Sequence, residues 1–379
     1  MASLLDQLRT LSAVDLAAKL GPFTDCTSNQ AGAIAFAELS KLGSDGKPLH
    51  GKLISESIQL AHWLFGKQTD ATLEELAVEL MMVDLSVQIA PYTTGYLHVQ
   101  TNPKLSYSAQ QTVKNAERLV SHFRQLAPGL DTGRVCIKIP ATWEGLQACR
   151  ELEKTGIATL ATTLFSLEQT ALAAHAGCRY IAPYVNELRV HFDPSYTDAS
   201  PSLPLCGAAQ HYLSSKPGNK TYVLAASLTS VEQVMQLAGI HHITISPPLL
   251  AELAATAAAT WPGAAEVGQV LKTTKTTTAA TATPAPAPGG SGGCGNGAST
   301  LGSLPGVYAT TTNQLGAETQ RMMLEAAVSD EALWRMAFTR AEGGAGEVKL
   351  VQAINIFADV QHRLEDMARR ADGGVAAGG

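Results

Sequence analysis

The chain has 379 residues, 45% of them hydrophobic and 16% charged, with a formal net charge of −6 and a pI near 5.9. This acidic composition excludes the clustered basic face that a nucleic-acid partner requires. No apolar run is long enough to span a bilayer, and the opening MASLLDQLRTLSAVDLAAKL lacks the uninterrupted apolar core of a secretory signal, which points to a cytoplasmic protein. Six cysteines (26, 136, 149, 178, 206 and 294) stand without CxxC spacing, so reduced, mostly buried thiols are expected rather than disulfides or a metal site.

Short β-like runs alternate with longer amphipathic ones from about residue 20 to 255. The β-like runs are FTDCTS (23–28), GYLHVQ (95–100), RVCIKIP (134–140), ATLATTLF (158–165), CRYIAPYV (178–185), TYVLAAS (221–227) and HHITIS (241–246). A weaker strand lies near residue 14. Between them, 72–90, 109–127 and 142–156 read as helices, the last with Thr142 as N-cap and Gly156 at its C-terminal stop. Such alternation means parallel strands joined by helices, and eight of them close a (β/α)8 TIM barrel. No GxGxxG or GxxxxGK[ST] follows a strand, which weakens the rival doubly wound open sheet.

The barrel is assigned to residues 1–270. Residues 271–315, with KTTKTTTAATATPAPAPGGSGG at their heart, cannot bury enough apolar surface to fold and read as a disordered low-complexity insertion. Residues 316–370 hold C-terminal helices that dock back on the barrel, with an apolar stripe at 351, 354, 357, 360 and 364. Residues 371–379 read as a disordered tail.

VCIKIPAT (135–142) sets a lysine, Lys138, into an apolar strand. With Val135, Ile137 and Ile139 facing the helix layer, Cys136 and Lys138 face the lumen. Lys138 then stands at the C-terminal end of its strand, where barrel active sites form. An amine held there sheds hydration, which favours its neutral, nucleophilic form. The alternative is a lysine snorkelling to solvent from a strand end.

The segment IKIPATWEGLQACRELEKTGI (137–157) closely resembles the imine-forming lysine motif of the transaldolase family. TDCTSNQ (24–30), TTLFSLEQTALAAHAG (162–177), IAPYV (181–185) and LAASLTSVEQVMQLAGIHHITISPPLLAEL (224–253) are similar to other family segments in the same order. The resemblance implies a single barrel, no metal and no cofactor, sugar phosphate substrates, and transfer of a dihydroxyacetone unit through an imine on Lys138. It implies that Asn29 holds donor hydroxyls, that Thr162 positions the reaction water, and that Ser227 lies at the substrate. It leaves the oligomeric state open, a homo-oligomer being compatible.

The departures bear on the reaction. The family carboxylate of the third strand falls at Gln100, which can hold a water but cannot take its proton. Gln100 with Tyr184 and Thr162 resembles the fructose-6-phosphate aldolase branch, in which such a trio favours release of dihydroxyacetone over transfer; Tyr184 is the candidate acid/base there. Two family basic residues fall at Glu187 and Thr229, leaving Arg189, Lys104 or Lys220 as substitutes, Arg189 facing the same way if its strand continues. Otherwise the substrate lacks phosphate. Gln30 replaces the signature proline. The first strand is short, and Asp15 is the nearest candidate for its proton-shuttling aspartate. Transaldolase activity in the pentose-phosphate pathway is the leading expectation, an aldolase the second, and a sugar-binding barrel without turnover the third.

Overall fold

Eight short strands carry the fold: β1 (Ala13–Asp15), β2 (Cys26–Thr27), β3 (Leu97–Gln100), β4 (Val135–Pro140), β5 (Ala158–Leu164), β6 (Tyr180–Pro183), β7 (Tyr222–Ala225) and β8 (His242–Thr244). All pairings between them are parallel, in the order β1-β8-β7-β6-β5-β4-β3-β2. First and last strands being neighbours, the sheet curls into a nearly closed (β/α)8 barrel. This computed structural model describes residues 13–15, 22–30, 35–42, 46–67, 70–257, 261, 263–272 and 317–377. Among them the β1–β2 edge is unpaired, and the low-complexity segment lies outside them apart from residues 271–272.

The helices are α1 (Phe36–Leu39), α2 (Gly51–Phe65), α3 (Leu73–Ile89), α4 (Ala109–Leu126), α5 (Trp143–Lys154), α6 (Leu167–Ala176), α7 (Leu203–Ser214), α8 (Val231–Gln236), α9 (Pro247–Ala255), α10 (Ala317–Ala327), α11 (Glu331–Arg340) and α12 (Ala345–Ala377). Thr72 and Glu75 form a reciprocal capping box at the start of α3. Thr142 caps α5 as its sequence predicts, its hydroxyl accepting from Gly145 N–H at 2.8 Å. A side chain at Gly145 would place its Cβ 2.1 Å from the Pro140 carbonyl oxygen. Only glycine lets α5 start this close to the end of β4.

α12 crosses the barrel and packs on α2 and α3. It seats Leu350, Ala353, Ile354, Phe357, Val360 and Leu364, whereas Val351, which the stripe counts as inward, is 41% exposed. A 3.6-residue period drifts from a strict three-residue count, so the face passes from 350 to 353 and 354. The tail reading also needs correction, since α12 continues to Ala377. A helix already under way adds alanines readily, even across Gly373 and Gly374. Trp334 of α11 donates its indole N–H to the Glu168 carbonyl at 2.9 Å and packs at a tilt against Trp143, fixing the C-terminal helices beside the β4 and β5 loops. The five described cysteines are all buried, as expected. Among the described residues no helix is long and apolar enough to cross a membrane.

Candidate active site

Strand register assembles the site. Lys138 of β4 is in register with Gln100 of β3 on one side and Leu160 of β5 on the other, and Pro140 with Thr162. Val135, Ile137 and Ile139 are buried as the outward set. Lys138 is 4% exposed, an amine out of bulk water near the C-terminal end of its strand. Snorkelling to solvent is thereby excluded.

Gln100 is 1% exposed, and neither its amide nitrogen nor its amide oxygen bonds to a protein group. Gln30 Oε1, Thr27 Oγ1 and Thr244 Oγ1 are likewise buried without such a partner. Native interiors rarely leave polar atoms in this state, so their gathering around the lumen marks where a polar ligand or water binds. Gln30 is fixed from its other end, its Nε2 donating to the Thr101 carbonyl at 2.9 Å. It thereby ties the Asn29 turn, half-buried beyond β2, to the end of β3.

On β5 and β6, on the other side of Lys138 from Gln100, the Thr162 hydroxyl donates to the Tyr184 phenol oxygen at 3.3 Å. Burial pushes the phenol up to about 12, with the Thr162 bond pulling partly the other way. Tyr184 is therefore a protonated donor at neutral pH. A bulge between Ala161 and Leu164 sets Thr162 in place. At its centre Thr163 has φ +54° and donates its hydroxyl to the Thr162 carbonyl at 2.6 Å. Tyr184 packs edge-on against Phe165.

Asp15 lies on β1, its backbone in register with Thr244 of β8, so the short first strand does form. Ser227, past β7, has φ +61°, and its carbonyl accepts from Asn186 Nδ2 at 2.7 Å. The parity argument for Arg189 fails: β6 ends at Pro183, and residues Leu188–His191 form a 3-10 turn. Arg189 is exposed, stacks on Tyr196 and binds Asp193 through two nitrogens at 2.7 and 3.1 Å. Lys104 is held at 2.7 Å by both Glu75 and Glu365. Lys220 precedes β7, at the end of the barrel opposite the site.

The opposite end of the lumen is aromatic. There Tyr180 packs against His98 and His242, and His98 Nε2 lies 3.5 Å from Asp25 Oδ2. Burial pushes the Asp25 carboxyl up, but His98 and the Tyr96 amide outweigh it and hold it below the usual carboxylate range. Among the described residues no cluster of three or more His, Cys, Asp or Glu is placed to hold a metal.

Sequence reasoning missed His191, Asn186 and the Gln30 tether. Gln30 stood out only as a replaced proline, and its contact spans 71 residues of chain.

A parallel barrel with a buried lysine at a strand's C-terminal end, ringed by amide and hydroxyl groups, defines a lumenal-lysine (β/α)8 protein. Residues 5–284 match the family described as Transaldolase/Fructose-6-phosphate aldolase. The chain belongs to that family. It is 33% identical to the transaldolase of Saccharomyces cerevisiae over 56% of this chain and 64% of the yeast protein. To the transaldolase of Stutzerimonas stutzeri it is 36% identical over 47% and 59%, and to that of Xanthomonas euvesicatoria 30% over 66% and 78%. The chain thus spans less than two thirds of the first two relatives.

Proposed function

We propose that this chain catalyses reversible aldol cleavage and transfer of a three-carbon ketol unit through an imine on Lys138. One observation carries the reading: the Lys138 amine is buried near a strand's C-terminal end, in register with an amide that no protein group satisfies. Transaldolase relatives at 30–36% identity support the transfer chemistry.

In this mechanism the neutral amine attacks the C2 carbonyl of a ketose, and the carbinolamine loses its hydroxyl as water to give a protonated imine. Asp15 takes the C4 hydroxyl proton while the C3–C4 bond breaks. Its electron pair passes into the imine, giving an enamine and releasing an aldehyde. The enamine then attacks an acceptor aldehyde, and hydrolysis frees the new ketose and the amine. Asn29 and Ser227 hold hydroxyls, Gln100 and Thr162 hold the reaction water, and Tyr184 gives the proton with which the carbinolamine hydroxyl leaves. The corresponding cellular role is carbohydrate metabolism, in the cytoplasm.

The Thr162–Tyr184 bond, across the Lys138 strand from Gln100, favours a second reading, in which the enamine is protonated and dihydroxyacetone leaves free. Borohydride reduction with dihydroxyacetone or fructose 6-phosphate, followed by mass mapping, should place an adduct on Lys138. No adduct with any ketose would leave a sugar-binding barrel without turnover. Dihydroxyacetone release measured with and without erythrose 4-phosphate separates the first two readings, since a transferase depends wholly on the acceptor.

A further inference from the structure

The β6–β7 side of the mouth carries a polar pair of which the proposed mechanism uses only Ser227. His191 Nε2 lies 2.9 Å from Ser227 Oγ. Ser227 stands at φ +61°, a region that a non-glycine residue occupies only when its surroundings hold it there. Asn186 does so through its backbone N–H and its Nδ2, which donate to the Ser227 carbonyl at 3.2 and 2.7 Å.

The turn that carries His191 is held as well. This 3-10 turn is fastened by the Glu187 N–H, which donates to Asp198 at 2.9 Å. Tyr196 OH and Gln352 Nε2 both donate to the Glu187 carboxylate, at 2.8 and 3.1 Å. Ser227 and the turn that carries His191 are thus set before a ligand arrives, the condition for reading a hydroxyl by geometry.

The charge around the pair disfavours an anion. Residues 186–200 contain Glu187, Asp193 and Asp198 against Arg189, and Lys349 of α12 adds a second cation. Arg189 is bound to Asp193 at 2.7 Å and Lys349 to Asp198 at 3.3 Å. Beyond Ser227, the Thr229 N–H donates to Gln233 Oε1 and the Gln233 N–H to Ser230 Oγ, so two amides that could cradle a phosphate at this turn are engaged. Partial desolvation lowers the His191 imidazole below its ordinary value although the residue keeps an exposed edge, leaving it a neutral donor and acceptor at pH 7.

Resting on the lysine-imine reading, we infer that His191 and Ser227 form the subsite for the uncharged, hydroxyl-bearing tail of the substrate. The substrate class is then a free sugar rather than a sugar phosphate.

The test compares kcat/KM of the full chain for fructose and fructose 6-phosphate, in wild type, His191→Gln, His191→Ala and His191→Arg. The expected result is a wild-type preference for the free sugar, a tenfold or greater loss with it in His191→Ala through KM, and rescue by His191→Gln. His191→Arg should shift the preference at least tenfold toward the phosphate. A wild-type preference above tenfold for the phosphate that collapses in His191→Ala would overturn the inference, as would a His191→Ala variant with unchanged free-sugar kinetics. Failure of the underlying imine reading appears separately, as no borohydride adduct on wild-type Lys138 with dihydroxyacetone, which has no tail to bind.

Discussion

Two regions bury polar side chains in opposite ways. Between α3 and α4, Glu79 accepts from Arg118 Nε and Nη2 at 2.8 and 2.6 Å and from Asn115 at 2.6 Å, with His122 at 3.2 Å. Asn115 in turn accepts from the Asn102 N–H, so the cluster also holds the loop that follows β3. In the lumen, two residues before Asn102, the Gln100 side chain is as deeply buried and its amide makes no bond to protein. A buried charge that is fully paired holds the structure together, whereas a buried amide left open costs stability and is kept for a ligand.

The sharpest break of this contrast is Lys138→Met. Removing the nucleophile should cut turnover by at least about 10³-fold and abolish borohydride trapping, with the melting temperature nearly unchanged. Retained turnover would mean that the reaction does not pass through this amine.

Glu79→Ala should act the other way. It leaves Arg118 buried without its main partner, and such losses cost about 3–5 kcal/mol. Asp70 remains 3.1 Å from the guanidinium, which places the effect near the lower figure. Urea titration measures it, and activity per folded molecule should persist. Gln100→Leu removes an amide that bonds to no protein group, so stability should hold or rise slightly. Turnover should fall by about 10²-fold, the scale of one positioned proton-transfer group. A marked stability loss in Gln100→Leu would show that the amide is structural after all.

Much of this contrast was legible from strand parity. Alternation in VCIKIP places Lys138 inward, and the family segments carry Thr162 and Tyr184 to the same wall. Parity stops where strands stop. It misplaced Arg189, because β6 ends at Pro183 and the chain turns into a 3-10 turn. It could not foresee that Gln30 reaches Thr101, because side-chain bonds between loops depend on how two strand ends come together. His191 was invisible for the same reason, its partner Ser227 lying 36 residues away.

Alkaline titration sharpens the lumen side. The Tyr184 phenol ionises near 10 when unfolded and is pushed up to about 12 by burial in the fold. Its folded-state value is the higher one, so the stability it contributes is complete below pH 10 and is lost as pH rises through about 12. Two units correspond to about 2–3 kcal/mol. Tyr184→Phe should lack this loss, so the difference between the two stability–pH curves isolates it. Parallel curves would place the phenol in contact with water.

The smallest expected effect on stability tests whether the β5 bulge serves the site. A β-branched residue at φ +54° costs about 1–3 kcal/mol, which Thr163→Gly relieves. The same change loses the hydroxyl bond to the Thr162 carbonyl, about 1 kcal/mol, and adds about 0.5–1 kcal/mol of backbone entropy. These terms nearly cancel, so the midpoint of denaturation should barely move. If the strained conformation exists to aim Thr162 at Tyr184, turnover should nevertheless drop several-fold, because the bulge loses its stiffness while the fold does not. Unchanged turnover at unchanged stability would make the bulge a feature of barrel closure alone.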